Sequence, residues 1–254
     1  MKTLHVLFIA FTVLVASTAY AQVYRPVEKK VEMGKHMVDA WVMQVDEPMD
    51  PLKKSYKKFA KRQLNVKVKK SGRDLLMAEE VLIPGIAQKE GDLKARFFTE
   101  GGETTLAVAF LLGYDIGLNS LDYPQEMSNL RSFTKNFVKH YKTEKLNALI
   151  EADEQQEKRL KSTLKKNEKE YKNLGKRVPK VEELIASEKT KEEKKITLKN
   201  ENVSNRSRLI ALDEIIENLK KELMLLNKNI EQHRSAISML ELQFADDVVP
   251  MVNQ

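Results

Sequence analysis

The chain has 254 residues, 32% of them Asp, Glu, Lys or Arg, with a formal net charge of +7 and no cysteine. The missing cysteine excludes disulfides, thiolate metal sites, a cysteine nucleophile and a lipid anchor on cysteine. Stability must then come from an apolar core and from helix packing.

The first residues have the pattern of a secretory signal. Lys2 supplies a positive start, Leu4 to Ala16 is an apolar run too short to span a bilayer, and Ala19-Tyr20-Ala21 is a small-x-small cleavage site. This predicts a signal peptide over residues 1–21 and a mature chain from Gln22. The product is expected to be exported, periplasmic or secreted, not a lipoprotein, and without a transmembrane span after cleavage. Residues 22–35 are expected to form an N-terminal extension, 36–123 a small α/β domain, 124–245 long helices forming a coiled coil, and 246–254 a flexible tail.

His36 to Val45 is rich in Val, Met and Trp and predicts a strand that includes Trp41, the only tryptophan. Asp50-Pro51 then fits a helix start, with Asp50 as cap. In that helix Leu52, Tyr56, Phe59 and Gln63 share a face. Period-two alternation follows at Leu64, Val66 and Val68, a half-buried strand. Turns are expected at Ser71–Asp74, Pro84-Gly85, Lys89–Asp92 and Glu100–Glu103, bounding strands over 75–83, 93–99 and 104–112. Thr104 to Leu112 is nearly all apolar and predicts a central strand covered on both sides. Phe98 lies on the otherwise polar face of its strand, and the C-terminal helix is expected to cover it. The predicted fold class is α+β: an antiparallel sheet in the order β-α-β-β-β-β-α, similar in topology to half of a TATA-binding protein or a helix-grip fold, followed by a long coiled coil. The analogy concerns topology alone.

From Pro124 the period is helical, and Leu130, Phe133, Phe137 and Tyr141 form a docking stripe. A first, partly polar register runs from Leu146 through Asp153 and Tyr171 to Ile185. A stronger ladder steps by three and four through Leu209, Leu212, Ile216, Leu219, Leu223, Leu226, Ile230, His233, Ile237, Leu240 and Phe244. That spacing is a coiled-coil seam with one polar rung, His233. Such a rung sets register or responds to pH, or is simply tolerated. An antiparallel hairpin is the preferred arrangement. Its turn is expected at Gly175–Pro179, because proline inside a helix costs about 3 kcal/mol. The rival turn is the Asn- and Ser-rich stretch Lys199–Ser207. A kinked rod that pairs between chains is the third arrangement.

With its signal peptide, the Gly101-Gly102 hairpin and a long charged helix, the chain resembles exported bacterial proteins in which a small α/β domain precedes a coiled coil. The resemblance implies that architecture and carries no described activity.

The sequence lacks G-x-S-x-G, H-E-x-x-H, Walker and G-x-G-x-x-G patterns. Outside residues 1–21 the histidines are His36, His140 and His233, without metal-ligand spacing. Neither catalytic nor metal-binding residues are assigned, and no cofactor is expected. One concentration of single-sign charge stands out: Lys53, Lys54, Lys57, Lys58, Lys61 and Arg62, followed by Lys67, Lys69, Lys70 and Arg73. It reads as a docking surface for an anionic envelope component, nucleic acid not being expected for an exported chain. The function expected is a non-enzymatic interaction or structural protein of the bacterial cell envelope, with a protein partner or self-association through the coiled coil. The alternatives are a periplasmic holdase-type chaperone and a lipid or small-ligand carrier with a cavity between sheet and helix.

Overall fold

A computed structural model describes residues 24–113 and 116–245. The expected signal segment, 1–21, and tail, 246–254, lie outside them. The described residues divide into two compact units, a head that runs to Lys145 and resumes at Ala236 and an arm of Leu146–Ser235.

The head follows the expected order, with one strand added in front and a two-residue strand added after the last. Strand β1 is Val27–Met33, β2 is His36–Val45, helix α1 is Met49–Leu64, and β3 is Lys69–Lys70. Then come β4 (Leu75–Ile83), β5 (Ala87–Glu100), β6 (Glu103–Leu112) and β7 (Ile116–Gly117), before helix α2, Pro124–Ala186. The sheet is antiparallel, in the order β1-β2-β6-β5-β4-β3, with β7 beside β6. The segment expected as an extension thus contributes the edge strand β1. Its four charged residues, Glu28, Lys29, Lys30 and Glu32, are what a solvated edge carries.

Strand β6 lies between β2 and β5, and every residue from Thr104 to Leu112 is buried. One face meets the helices. Leu106, Val108 and Phe110 pack with Leu52, Tyr56 and Phe59 of α1 and with Leu130, Phe133 and Phe137 of α2. The Tyr56 ring stands edge-on to Phe137, Phe97 and Phe133, with centroids 5.0, 5.7 and 6.0 Å away. Trp41 is half-buried at the margin of this core, where its Nε1 donates to the Met127 carbonyl at 2.7 Å. The opposite face holds a smaller cluster of Met33, Val38, Ala40, Val42, Ala107, Ala109 and Leu111. There Arg96 of β5 donates to the Glu32 carbonyl of β1 at 2.7 Å. Those strands are three places apart in the sheet, so the sheet curls strongly toward this face. Phe98 packs into this second cluster, which the curled sheet supplies from its own residues instead of the C-terminal helix.

Four local expectations are corrected. Helix α1 begins at Met49 after Pro48, so Asp50 sits in its first turn and is not its cap; Gln63 is exposed. Asn65 takes a left-handed conformation, φ 54°, that ends the helix. The following residues do not form the expected strand over 64–68, although Val66 and Val68 are buried. Lys89–Asp92 is not a turn but part of the 14-residue β5. The irregularity belongs to β4, where a bulge between Ala78 and Val81 puts Glu80 at φ 49°, its N–H held by the Asp92 carboxylate at 3.0 Å.

The arm pairs α2 with α3 (Glu192–Gln243). Glu182 binds Arg206, Glu170 binds Arg208 at 2.8 Å, and Asp153 faces His233 at 3.4 Å. Positions fall along α2 as they rise along α3, so the helices form an antiparallel hairpin. Neither expected turn is used: the chain reverses between Ala186 and Glu192. Ser187 and Thr190 make this turn without glycine or proline. The Thr190 hydroxyl donates to the Leu184 carbonyl at 2.8 Å, and the Ser187 hydroxyl accepts from the Lys189 N–H at 3.3 Å.

Gly175 and Pro179 remain inside α2. The prolyl nitrogen has no hydrogen to give the Gly175 carbonyl one turn back, which weakens the helix locally. Val178 and Val181, 9% and 5% exposed on either side, hold the segment by packing. Pro179→Ala should therefore stabilise the arm by about 1–3 kcal/mol. Chemical denaturation followed by circular dichroism measures this, and a loss of stability would show that the chain needs the proline.

Candidate anion-binding face and the coiled-coil seam

Helix α1 turns Leu52, Tyr56, Phe59 and Ala60 inward, and the remaining positions carry its lysines into solvent. Lys54, Lys57, Lys58, Lys61 and Arg62 are exposed. Lys53 is half-buried and inclined to the side, where its ammonium donates to the Arg73 carbonyl and Asp74 carboxylate, both at 3.3 Å. This ties the Ser71–Asp74 turn to the helix, bringing Arg73 to the same surface. Arg62 faces Glu144 at 3.5 Å, and His140 approaches the same carboxylate at 3.3 Å.

The structure adds residues that sequence spacing does not connect. Lys54, Ser55 and Lys58 of α1, with Tyr141, Glu144 and Lys145 of α2, line an open hollow of about 310 Å³. Lys145 is oriented from below by Glu47, whose carboxylate accepts from Lys145 at 2.8 and 2.9 Å and from Lys142 at 2.7 Å. The Glu47 side chain is 3% exposed. Burial pushes its pKa up, but the hydrogen bonds from Lys142 and Lys145 outweigh burial and hold it below the usual carboxylate range. On Lys142, burial favours the neutral amine, yet Glu47 and Tyr24 together raise its pKa. Both groups are therefore charged at neutral pH, and the network fixes the β2–α1 connection to α2. Its polar atoms serve one another, which makes it an anchor beneath the hollow.

The ladder residues differ in burial. Leu212, Ile216, Leu226, Ile230 and Phe244 are buried; Leu209, Leu219, Leu223, His233, Ile237 and Leu240 are half-buried. The ladder serves two units, however. Its rungs through His233 belong to the arm, whereas Leu240 and Phe244 pack on the core of the head. Phe244 stacks on Tyr24 at 6.3 Å, beneath the Lys135 ammonium. On α2, Tyr171 is 39% exposed and leaves the expected register.

His233 meets Asp153, not an apolar partner. Burial raises the Asp153 pKa, the nearby His233 opposing it in part. A carboxylate whose pKa is raised by folding stabilises the fold most at pH below its unfolded value, and that contribution is lost as pH rises through the folded value. At neutral pH this polar layer costs stability and constrains register. Replacing both residues with leucine should stabilise the arm by about 1–4 kcal/mol. A double-mutant cycle by urea denaturation at pH 7 checks this, and a destabilised Leu-Leu variant would contradict it.

The space between sheet and helices, where a small-ligand carrier would keep its cavity, is filled by Tyr56, Phe97, Phe133 and Phe137, each at most 2% exposed. His36, His140 and His233 fall on β2, α2 and α3. Among the described residues, no group of three or more His, Asp or Glu side chains is placed to hold a metal ion, and no helix is long and apolar enough to cross a membrane. No family model, curated protein or solved structure matches this chain.

Proposed function

We propose that the chain is an exported, non-enzymatic interaction or structural protein of the bacterial cell envelope, a small α+β head with a coiled-coil arm. The observation that carries this reading is the investment in helix: α2 and α3 have 63 and 52 residues, and most of each lies in the arm, paired along a ladder with one polar layer. Export follows from the signal-like start, Lys2 through Ala21. Cell fractionation with N-terminal sequencing tests it: an envelope protein beginning at Gln22 is expected, and an intact cytosolic chain beginning at Met1 would refute it.

A holdase-type chaperone is the second reading, favoured by apolar side chains left in solvent on the arm. Ile196, Val203 and Ile210 recur every seven residues on α3 and are 57%, 66% and 72% exposed. Suppression of aggregation of an unfolded outer-membrane protein at equimolar ratio, lost when all three become serine, would select this reading. Absence of suppression would remove it.

A further inference from the structure

From Pro51 to Arg73 the chain has ten lysines and arginines and no aspartate or glutamate. Without those ten residues the net charge would be −3 rather than +7. The basic character of the protein therefore resides in one segment of the head. Within that segment the outward face of α1 carries Lys54, Lys57, Lys58, Lys61 and Arg62, Lys53 ties the Arg73 turn back to the helix, and Lys67, Lys69 and Lys70 are exposed nearby in sequence. Among the described residues, Lys54, Lys57, Lys58 and Lys61 have no carboxylate within ion-pair distance.

We infer that this face docks the protein on an anionic phospholipid surface, with a headgroup phosphate entering the hollow between Lys54, Lys58 and Lys145. The inference rests on the envelope reading above and specifies the partner of the face described there. Three features favour a lipid surface over an acidic protein. The charge is almost all lysine, a hydrated point charge suited to diffuse attraction, whereas shaped recognition of carboxylate or phosphate prefers arginine. No large hydrophobic side chain between Met37 and Leu82 is exposed, so the surface lacks the apolar anchors on which protein interfaces depend. The hollow is open and roomy enough to admit a headgroup phosphate, with the Ser55 and Tyr141 side chains beside its lysines and its one acid, Glu144, facing Arg62 and His140. The same absence of apolar side chains predicts adsorption without insertion, hence strong screening by salt.

Each basic residue near such a surface strengthens binding about fivefold. Reversing four of them, Lys54→Glu, Lys57→Glu, Lys58→Glu and Lys61→Glu, should weaken binding at least about a hundredfold. The test is co-sedimentation of the chain, as recovered from the cells that make it, with phosphatidylcholine vesicles containing or lacking one-third phosphatidylglycerol. Support requires binding to the anionic vesicles alone, at least a tenfold loss between 0.05 and 0.5 M NaCl, about as several phosphate-type contacts imply, and a hundredfold loss in the variant with its circular dichroism unchanged. A second variant with glutamine at the four positions keeps the test open if charge reversal disturbs folding. Equal binding to neutral vesicles, undiminished binding by either folded variant, or tighter binding to duplex DNA or polyglutamate at the same salt would overturn the inference. Absence of vesicle binding by a chain found in the envelope fraction would refute the lipid partner alone. Vesicle binding by a chain found in the cytosol would refute the envelope reading and leave the surface chemistry standing.

Discussion

Gly91→Val should destabilise the head by at least about 3 kcal/mol, or prevent it from folding. Gly91 lies inside β5, opposite Leu112 of β6. A Cβ there would stand 2.3 Å from the Leu111 carbonyl oxygen and 2.6 Å from Phe110 Cε1. Neither neighbour yields cheaply: one is backbone of the central strand, the other belongs to a ring fully buried against the helices. Any side chain at 91 would have to separate β5 from β6, the longest strand pair in the sheet. Urea denaturation measures the loss. The control is Gly101→Ala, in the hairpin, where φ is +62° but nothing lies within 4 Å of a new Cβ. That change costs only its backbone strain, of order 1 kcal/mol. Equal losses at the two sites would show that the close approach of β5 and β6 is not what requires glycine.

Glu47→Ala should cost about 3–5 kcal/mol at pH 7, because it leaves the largely buried Lys142 ammonium without its counter-ion. The pH dependence has a definite sign. The folded Glu47 carboxyl titrates below its ordinary value of 4.5. Its contribution is therefore fully present above that value and is lost as pH falls through the depressed folded value. The gap in stability between the native chain and Glu47→Ala should accordingly be wide at pH 7 and narrow toward pH 3. A gap independent of pH would mean that Glu47 acts through packing or through its backbone, whose carbonyl also accepts from the Thr104 hydroxyl at 2.6 Å.

These two positions also show where the sequence was legible. Period and composition were enough for β6, for the α1 core face and for the docking stripe from Leu130 to Tyr141, because burial on one or two sides imprints directly on residue type. They were enough for the ladder too, since heptad spacing is a local property. By sequence alone Gly91 reads as part of a turn. A glycine required by a neighbouring strand looks the same in sequence as one required by a turn, and only the β5–β6 register separates them. Edge strand β1 leaves a weak signal because Lys29 interrupts the period-two set Val27, Val31 and Met33, and four of its seven residues are charged. The hairpin turn was sought at glycine, proline and asparagine, yet Ser187 and Thr190 make it through side-chain bonds to nearby backbone, while packing at Val178 and Val181 carries the helix past Pro179. The hollow behind the lysine face could not be read at all: Lys145 reaches it from 87 positions beyond Lys58, and Glu47 orients it from a third element.

The architecture depends on α2 and α3 closing within one chain and reversing between Ala186 and Glu192. The native chain has no cysteine, so introduced pairs report cleanly. Asp153→Cys with His233→Cys joins positions that face each other across the hairpin. Leu174→Cys with Ile230→Cys would pair if the turn lay at Lys199–Ser207, and Phe137→Cys with Ile216→Cys if it lay at Gly175–Pro179. A short bis-maleimide should crosslink the 153/233 pair within the monomer, to the same extent at every protein concentration. Crosslinking of either other pair in its place, or products that appear only as dimers and increase with concentration, would contradict the hairpin.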